Sequence, residues 1–295
     1  MDFVFIVGVG RSGTSLLQAM LDSHPKIRFL PETLFARQHV FAKPNSSTDT
    51  VSKDTVMSNT RLREIFGGGA ELAAFWAAQT NCTALSLYEN LHRHLQTDQA
   101  DWSGDKDPRL LEKTQNIIGC FPNAKIIQIM RDPRDTICSK LKADWAKKRP
   151  WWLHTFITAY QIGFYQENST THHRVFYEDL LANPQATLEE ICDFLDLTYD
   201  PAMIDYTASA QSLMRESEKT WKENTTKPLM QSNSGNWGSK LSPFQVRFID
   251  KLCLQAAWLR GHYMPASTKL SLPKEAAIAC ASLTLFCLSK MKRTR

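Results

Sequence analysis

The N-terminal stretch of this chain constrains its fold more than any other segment. Residues 3–9 form an apolar run interrupted only by glycine near its end, a pattern typical of a strand buried on both faces of a sheet. Further glycines follow at positions 10 and 13, and apolar residues between Leu16 and Leu21 then recur at helical spacing. A strand, a glycine-rich loop and a helix in this order predict an α/β fold with an anion-binding loop at the helix N-terminus.

Strands and helices continue to alternate along the chain. Residues 27–30, 124–130 and 173–177 have the composition of short buried strands, and residues 100–105 form a weaker, polar candidate. This alternation predicts a single P-loop NTPase-like α/β domain with a mostly parallel central sheet flanked by helices. We expect this domain to span residues 1–265, with a C-terminal helix and a basic tail over the remaining residues up to 295.

The longer segments between these strands are predicted as follows. Residues 41–100 are less regular, and their Ser/Thr-rich part at 45–60 is predicted to be a loop. One helix is predicted over residues 178–195. Another begins at the N-cap Ser242 and ends at Gly261.

The charge balance argues against a basic body that binds nucleic acid. The sequence has 35 basic and 30 acidic side chains, a net charge of +5, but Lys290, Lys292, Arg293 and Arg295 place four positive charges in the last six residues. The rest of the chain carries only +1. The seven cysteines include no Cys-x-x-Cys pair, which argues against a zinc ribbon or a disulfide framework and favours reduced, intracellular thiols.

The C-terminal segment has two interpretations. Residues 276–288 contain no charge, and the basic tail follows them. The segment is either a helix packed on the domain or, with its tail up to residue 295, a weak membrane contact with anionic lipid. No segment reaches the roughly 20 apolar residues of a membrane span. No secretory signal is visible, so we expect a cytoplasmic protein.

The loop from Gly8 to Ser15 has the glycine spacing of a Walker A motif but lacks its lysine. Glycines let successive backbone N–H groups face an anion at the helix N-terminus. Thr14 stands where the phosphate-bridging lysine is expected, and Arg11 contributes a cation three residues earlier. The loop therefore disfavours ATP or GTP chemistry with magnesium and leaves open a phosphate-ended ligand that needs no metal.

A second set of anion-binding side chains follows the predicted strand at 124–130. Arg131-Asp132-Pro133-Arg134-Asp135 begins directly after it, and Ser139 lies eight residues beyond Arg131. An arginine and a hydroxyl group at this spacing can clamp a second phosphate. The alternative is a solvated charge cluster in which Asp135 caps the helix.

Five short motifs together resemble the sulfotransferase family. Residues 5–25 resemble its 5′-phosphosulfate loop, the Arg131 motif with Ser139 resembles its 3′-phosphate site, and residues 176–180 resemble its later strand-to-helix signature. Pro31-Glu32-Thr33 and Lys106-Asp107-Pro108 match motifs shared with the tyrosylprotein sulfotransferases and their bacterial relatives. The resemblance extends over residues 3–263 and is specific in these motifs.

The resemblance implies transfer of a sulfuryl group from 3′-phosphoadenosine 5′-phosphosulfate (PAPS) to a hydroxyl or amine acceptor, without a metal. It assigns residues to the binding of PAPS and to catalysis. The PAPS-binding residues would be Arg11, Ser12, Gly13, Thr14, Ser15, Arg131, Ser139 and Tyr177. The catalytic residues would be Glu32 as the general base, Lys106 as a transition-state stabiliser, and Arg11.

Some of these assignments have alternatives. Glu32 can instead cap a helix, and His24 is a rival base, although its place before a proline favours a structural turn. The family has basic residues where Asn236 and Ala143 stand here, so the contacts of residues 216–240 stay unassigned.

A physical argument independent of the resemblance brings the catalytic side chains together. Arg11, Glu32, Lys106 and Arg131 each lie at or just after the carboxyl end of a predicted strand, and in a parallel sheet these ends share one edge. There a carboxylate can accept the proton of a hydroxyl group, while loop amides and cations stabilise the charge that develops in the transition state.

The acceptor is the least defined part of the prediction. We expect a small molecule or a peptide, covered by an acceptor-side insertion at residues 41–100. Trp152, Phe156, Tyr160 and Phe164 share one helix face, which is either core or an acceptor pocket. Two other functions stay open: a phosphoadenosine-binding module without activity, and a P-loop kinase. The presence of both Glu32 and Lys106 favours an enzyme over a binding module, and the missing Walker lysine argues against a kinase.

Overall fold

The centre of the protein is a parallel sheet. The computed structural model describes residues 2–95, 100–143, 148–214, 223–266 and 271–293. The strands are β1 (Asp2–Gly8), β2 (Ile27–Phe29), β3 (Trp102–Lys106), β4 (Lys125–Met130) and β5 (His172–Phe176). They pair in the order β2-β3-β1-β4-β5, and every pair of neighbours is parallel. The predicted α/β fold with a mostly parallel sheet is confirmed.

The central strand β1 has side chains that alternate between two cores. Phe3, Phe5 and Val7 belong to one hydrophobic cluster, and Val4 and Ile6 belong to the other. All of these side chains are buried. Helices therefore cover both faces of the sheet, as parallel sheets require.

The polar sequence of β3 is buried because side chains from a neighbouring helix satisfy it. The Nδ1 atom of His92 lies 2.6 Å from the Ser103 hydroxyl oxygen, and the Tyr88 hydroxyl group donates to the Asp105 carboxylate at 2.9 Å. Buried polar groups are tolerated when they are hydrogen-bonded. This pairing explains how a segment with a weak strand pattern forms a fully buried strand.

The strand order creates a crevice at the carboxyl end of β1. After β1 the chain moves to one side of the sheet to form β2 and β3, and it then crosses to the other side to form β4 and β5. Ligands of open α/β sheets bind at such a switch point, outside the carboxyl ends of the strands. The loop after β1, the end of β3 and the loop after β4 bring Arg11, Lys106 and Arg131 to this edge, as predicted.

The described α-helices cover the sheet and extend beyond it. They are α1 (Thr14–Asp22), α2 (Lys53–Ser58), α3 (Thr60–Ile65), α4 (Gly69–Ala77), α5 (Ala84–Leu95), α6 (Thr114–Cys120), α7 (Pro133–Lys142), α8 (Trp151–Ile162), α9 (Tyr177–Ala182), α10 (Pro184–Phe194), α11 (Thr207–Leu213), α12 (Pro243–Cys253), α13 (Ala257–His262) and α14 (Leu272–Arg293).

The prediction of a loop at residues 45–60 is wrong. This region contains a short 3₁₀ turn and α2, and α3 begins at Thr60. Val56 and Leu62 anchor α2 and α3 in the core. Each of these helices has only six residues, which is too short to show the repeated apolar positions on which a sequence-based helix prediction depends.

Two predicted helices are each interrupted. The helix expected over residues 178–195 is divided into α9 and α10 by Asn183, because Pro184 cannot donate a backbone hydrogen bond to the preceding turn. The helix expected from Ser242 to Gly261 begins as predicted, with a capping box between Ser242 and Gln245, but it ends at Cys253. Gly261 therefore lies within α13 and does not end the predicted helix.

The C-terminal segment is a helix, α14, that contacts the domain near its N-terminal end. Ile278 is buried in the larger hydrophobic cluster and Ala281 packs against that cluster. Within the parts of the chain that the structure describes, no helix is long and apolar enough to cross a membrane. The side chains of the basic tail lie outside the described residues, so the predicted lipid contact and the cytoplasmic location stay predictions.

Candidate active site

A cavity of about 610 Å³ lies at the carboxyl edge of the sheet. Of the residues predicted for binding and catalysis, all but Ser12 line it. These lining residues are Arg11, Gly13, Thr14, Ser15, Glu32, Lys106, Arg131, Ser139 and Tyr177. Side chains from five separate segments of the sequence therefore meet at one site.

The phosphate loop is held in a fixed shape from its buried side. The Ser12 hydroxyl group donates to the Val9 carbonyl oxygen at 2.6 Å and is within 3.2 Å of the Ile129 carbonyl oxygen. Ser12 is fully buried, so its side chain shapes the loop and does not line the cavity. Gly13 has a φ of 98°, and a Cβ atom there would lie 2.3 Å from the Tyr177 ring, which explains the requirement for glycine.

A tyrosine that the sequence analysis did not select supports the same loop. The Tyr165 hydroxyl group accepts a hydrogen bond from the Val9 backbone N–H at 3.1 Å and donates to the Ile129 carbonyl oxygen at 2.6 Å. Burial raises the pKa of Tyr165, so this group is neutral and able to donate. Tyr165 follows α8 and lies 156 residues from Val9, and no local motif marks such a contact.

One end of the cavity is built around Arg131. Its guanidinium group donates to the Asn233 carbonyl oxygen at 2.6 Å and lies over the Tyr177 ring, 4.6 Å from the centroid. Its Nε atom is buried and has no hydrogen-bond partner among the described residues. Asn233 also donates to the Tyr177 hydroxyl group at 2.8 Å. This end therefore contains a buried cation with an unused donor, as an anion-binding site requires.

Arg11 connects this end to the phosphate loop. Its Nε atom donates to the Ser139 hydroxyl group at 3.1 Å. Burial and the neighbouring positive charge of Arg131 both lower the pKa of Arg11. Two cations held this close repel each other, and an anion placed between them relieves the repulsion.

The predicted cap of α7 is formed by a different residue. Asp132, and not Asp135, accepts the backbone N–H of Arg134 at 2.8 Å. Asp135 instead accepts the backbone N–H of Gly235 at 2.6 Å, which fixes the segment that includes Asn233 over the cavity.

The other end of the cavity holds the predicted base and its neighbour. Glu32 and Lys106 form a direct ion pair through their side chains. Lys106 is almost fully buried, whereas the Glu32 side chain remains 17% exposed toward the cavity. Arg61 of α3 donates to the Glu32 backbone carbonyl oxygen at 2.9 Å. A partly exposed carboxylate between two cations lies where an acceptor can reach it.

Arginines surround this end. The Nε atom of Arg37, in a π-helical turn at Ala36–Val40, donates to Asp107 at 2.6 Å. Arg109 is exposed at the rim, and Leu34, with a φ of 60°, lines the cavity between these groups and Glu32. The sequence does not predict a role for Arg37, Arg109 or Leu34, because each of them follows a motif without belonging to it.

Comparison with known proteins identifies the family. A family model described as the sulfotransferase family matches residues 3–201. The chain belongs to the sulfotransferase family. Protein-tyrosine sulfotransferase A of Caenorhabditis elegans is 28% identical over 217 residues, an alignment that covers 69% of this chain and 52% of that protein. The protein-tyrosine sulfotransferase of Drosophila melanogaster is 27% identical over 225 residues, which cover 70% of this chain and 40% of that protein. The chain spans about half the length, or less, of these two curated relatives.

Solved sulfotransferase structures share the fold. The sulfotransferase domain of the curacin biosynthetic pathway has a TM-score of 0.60 at 20% identity, with 82% of this chain and 92% of that one covered. The sulfotransferase domain of the Synechococcus PCC 7002 olefin synthase has a TM-score of 0.61 at 21% identity, with 82% of this chain and 89% of that one covered. The chain therefore shares the fold of these solved structures.

The rival base, His24, does not lie in the candidate site. His24 is buried and does not line the cavity. Its Nδ1 atom accepts the backbone N–H of Lys26 at 3.0 Å, and its Nε2 atom lies 2.9 Å from the Thr198 carbonyl oxygen. Because Nδ1 accepts, Nε2 carries the proton and donates. His24 is thus the structural turn residue that its position before proline indicates.

The predicted aromatic face of Trp152, Phe156, Tyr160 and Phe164 does not form an acceptor pocket of the described cavity. None of its four residues lines the cavity. Phe156 and Phe164 pack against the larger hydrophobic cluster, which agrees with the core interpretation. Trp152 is 47% exposed, so for this residue the core interpretation is wrong. The fully buried face of α8 instead includes polar residues such as Thr155 and Thr158, which bond to backbone and to Lys140.

The side chains that could ligate a metal are dispersed over the part of the chain that the structure describes. Among the described residues, no group of three or more His, Cys, Asp or Glu side chains is arranged to bind a metal ion.

Proposed function

We propose that this protein transfers a sulfuryl group from PAPS to the hydroxyl group of a tyrosine in a protein or peptide. Membership of the sulfotransferase family supports the reaction class. The relatives from C. elegans and D. melanogaster, both protein-tyrosine sulfotransferases, support the acceptor. The observation that carries the proposal is the Glu32–Lys106 pair, which faces the same cavity as the phosphate loop.

The cavity fits PAPS at two anionic positions. The Ser12 N–H already donates to the Val9 carbonyl oxygen, so the backbone amides of residues 13–15 at the start of α1 are the ones that suit the 5′-phosphosulfate. Arg131, with its buried and unpartnered Nε atom, and the hydroxyl group of Ser139 suit the 3′-phosphate. Tyr177 lines the space between these positions. The absence of a lysine at position 14 agrees with a donor that needs no bridging magnesium.

The side chains at the other end of the cavity supply the chemistry. PAPS, when bound, provides an activated sulfuryl group, and its transfer leaves 3′-phosphoadenosine 5′-phosphate (PAP). Glu32 accepts the acceptor's hydroxyl proton as the hydroxyl oxygen forms its bond to sulfur. Lys106 and Arg11 offset the negative charge that grows on the oxygen atoms as the bond between sulfur and the leaving phosphate oxygen breaks.

The charge of the acceptor end favours a peptide that carries negative charges beside its tyrosine. Arg37, Arg61 and Arg109 line this end, and the carboxylates nearby are Glu32 and Asp107. Complementary charge raises the association rate and helps to exclude other partners.

The proposal is tested with radiolabelled-sulfate PAPS and a tyrosine peptide that has acidic neighbours, with the product identified by mass spectrometry. A peptide with phenylalanine in place of tyrosine is the acceptor control. The wild-type protein should transfer label to the tyrosine peptide. Glu32→Gln should lower turnover by roughly 10²–10⁴-fold because it removes the proton acceptor, while PAP affinity stays unchanged.

A matched control and a second acceptor complete this experiment. Glu71→Gln, on the exposed side of α4 and outside the cavity, should behave as wild type. An acceptor phenol of lower pKa should partly rescue Glu32→Gln and should not rescue Lys106→Ala, which loses charge stabilisation. PAP binding without transfer to any acceptor class would instead identify a phosphoadenosine-binding module. Transfer to a small-molecule hydroxyl group but not to tyrosine would overturn the proposed acceptor.

A further inference from the structure

The segment that carries Glu32 has no regular secondary structure of its own. Residues 30–34 connect β2 to the π-helical turn, and Leu34 adopts a left-handed backbone conformation. Leu30 is fixed at one end, where its N–H donates to the Gly104 carbonyl oxygen. A base on such a segment needs contacts from other elements to hold its position, because the backbone hydrogen bonds of a helix or strand do not do so.

Arg61 provides such a contact from outside the motif. Its Nη1 atom donates to the Glu32 carbonyl oxygen at 2.9 Å, and the same atom lies 3.4 Å from the Glu32 carboxylate. The first bond fixes the backbone of Glu32, and the second places a positive charge beside its side chain. Lys106 contacts the other carboxylate oxygen.

Arg61 is itself held rigidly. The Asn59 side chain caps α3 and accepts the backbone N–H groups of Arg61 at 3.0 Å and Leu62 at 3.1 Å. Leu62 is 2% exposed and packs in the larger hydrophobic cluster. The guanidinium group therefore extends from a short helix that is capped by Asn59 and anchored in the core by Leu62.

We propose that Arg61 is a positioning residue for Glu32, through which the insertion between β2 and β3 sets the orientation and the proton affinity of the base. The role of Glu32 as a base rests on the proposed function, whereas the contact between Arg61 and Glu32 does not. A neighbouring cation favours the ionised form of a carboxyl group. Loss of Arg61 should therefore move the titration of Glu32 to higher pH and leave its backbone less well fixed.

Other ionisable groups near Glu32 also influence this titration. Lys106 and Asp107 belong to β3 and the turn after it, Arg37 belongs to the π-helical turn, and Arg11 belongs to the phosphate loop. Asp105 lies behind Lys106 and interacts electrostatically with Glu32. All of these groups are kept in the experiment, so the change is assigned to Arg61 alone.

The first measurement follows the Glu32 carboxyl group by ¹³C NMR in full-length protein labelled at glutamate, and its signal is assigned by comparison with Glu32→Gln. In Arg61→Ala the titration midpoint should rise by about one pH unit or more, within the range for loss of a nearby opposite charge. Arg61→Lys keeps a cation and should shift the midpoint less. Arg63→Ala removes an exposed arginine from the same helix and should leave it unchanged.

The second measurement is the pH dependence of kcat with PAPS and the tyrosine peptide. In Arg61→Ala we expect kcat to fall about tenfold or more at its optimum. The acidic limb of the profile should move to higher pH, and guanidinium ion in the buffer should restore part of the rate. Stabilisation of the protein by PAP should stay as in the wild type, which excludes general unfolding.

The outcomes separate the inference from the proposed function. An unchanged Glu32 titration in Arg61→Ala, in a protein that still binds PAP, overturns the positioning role whether or not the protein is an enzyme. An acidic limb that persists in Glu32→Gln overturns the role of Glu32 as a base but leaves the NMR result to decide the contact with Arg61. A uniform loss of kcat in Arg61→Ala with no shift of the limb and no NMR change indicates a structural role only.

Discussion

Asp105 is a buried carboxyl group on the strand that ends at Lys106. Burial raises its pKa to about 7, and the negative charges of Asp107 and Glu32 act in the same direction. The hydrogen bond from Tyr88 and the charge of Lys106 oppose them. Because the folded state holds the Asp105 proton more tightly than the unfolded state, this residue contributes stability below about pH 4 that is lost as the pH rises to 7.

Asp105→Asn should remove the loss of stability that the wild type shows as the pH rises to 7. Asparagine keeps an oxygen that accepts from Tyr88 but does not ionise. Relative to wild type, the variant should gain stability at high pH: the difference in unfolding free energy, variant minus wild type, should be about 2–4 kcal/mol larger at pH 8 than at pH 4.5. Urea denaturation of both proteins at the two pH values measures this difference in unfolding free energy. Asp101→Asn, in an exposed pair with Lys26, is the control and should show little difference. If Asp105→Asn shows the same pH dependence as wild type, Asp105 does not titrate in this range.

Single residues of the site could be predicted where they stand in a motif beside a strand end. Arg11, Lys106 and Arg131 all lie close to the end of a strand, and strand ends meet at one edge. Arg61 could not be predicted in this way, because it reaches Glu32 from a six-residue helix in an insertion. No sequence motif around Arg61 indicates this contact, which depends on how the insertion between β2 and β3 folds.

At the scale of elements, the segment that follows α8 supports the phosphate loop through Tyr165. Tyr165→Phe keeps the ring but leaves the Val9 N–H buried without its partner. The free energy of unfolding should fall by about 1–3 kcal/mol, the penalty for a buried unsatisfied donor. PAP should also bind less tightly, because Val9 lies within the loop. Thermal denaturation and calorimetric titration with PAP measure these two effects.

The matched control for this prediction is Tyr199→Phe. Tyr199 is partly exposed and lies after α10, away from the loop. This substitution should change stability by no more than about 0.5 kcal/mol. If Tyr165→Phe binds PAP as wild type does, the loop keeps its shape through Ser12 alone.

Element type was easier to predict than element boundaries. The strands were found because buried parallel strands have continuous apolar sequences. The prediction also includes β3, whose polar side chains are satisfied by Tyr88 and His92 from the preceding helix, α5. Apolar periodicity continues across the breaks at Asn183 and Cys253 and does not reveal them, although Pro184 is a stop signal for the first of these helices.

At the scale of the whole molecule, ligand binding should stabilise the folded protein selectively. PAP at 100 times its dissociation constant should raise the free energy of unfolding by about 2.7 kcal/mol. ATP with magnesium should give a much smaller effect, because Thr14 replaces the bridging lysine. Thermal shift measurements with each ligand test this difference between PAP and ATP. In Arg131→Ala, most of the stabilisation by PAP should be lost. Equal shifts from the two ligands would favour the kinase interpretation.

The strand order also divides the lining residues of the cavity into two groups that come from different parts of the chain. The residues at the donor end come from the loop after β1, from β4 and β5, and from the segment that contains Asn233. Glu32, Arg37 and Arg61 come from the chain between β2 and β3, Lys106 ends β3, and Arg109 follows it. Under the proposed function, changes in the chain between β2 and β3 should alter the acceptor side of the cavity and leave the residues of the donor side in place.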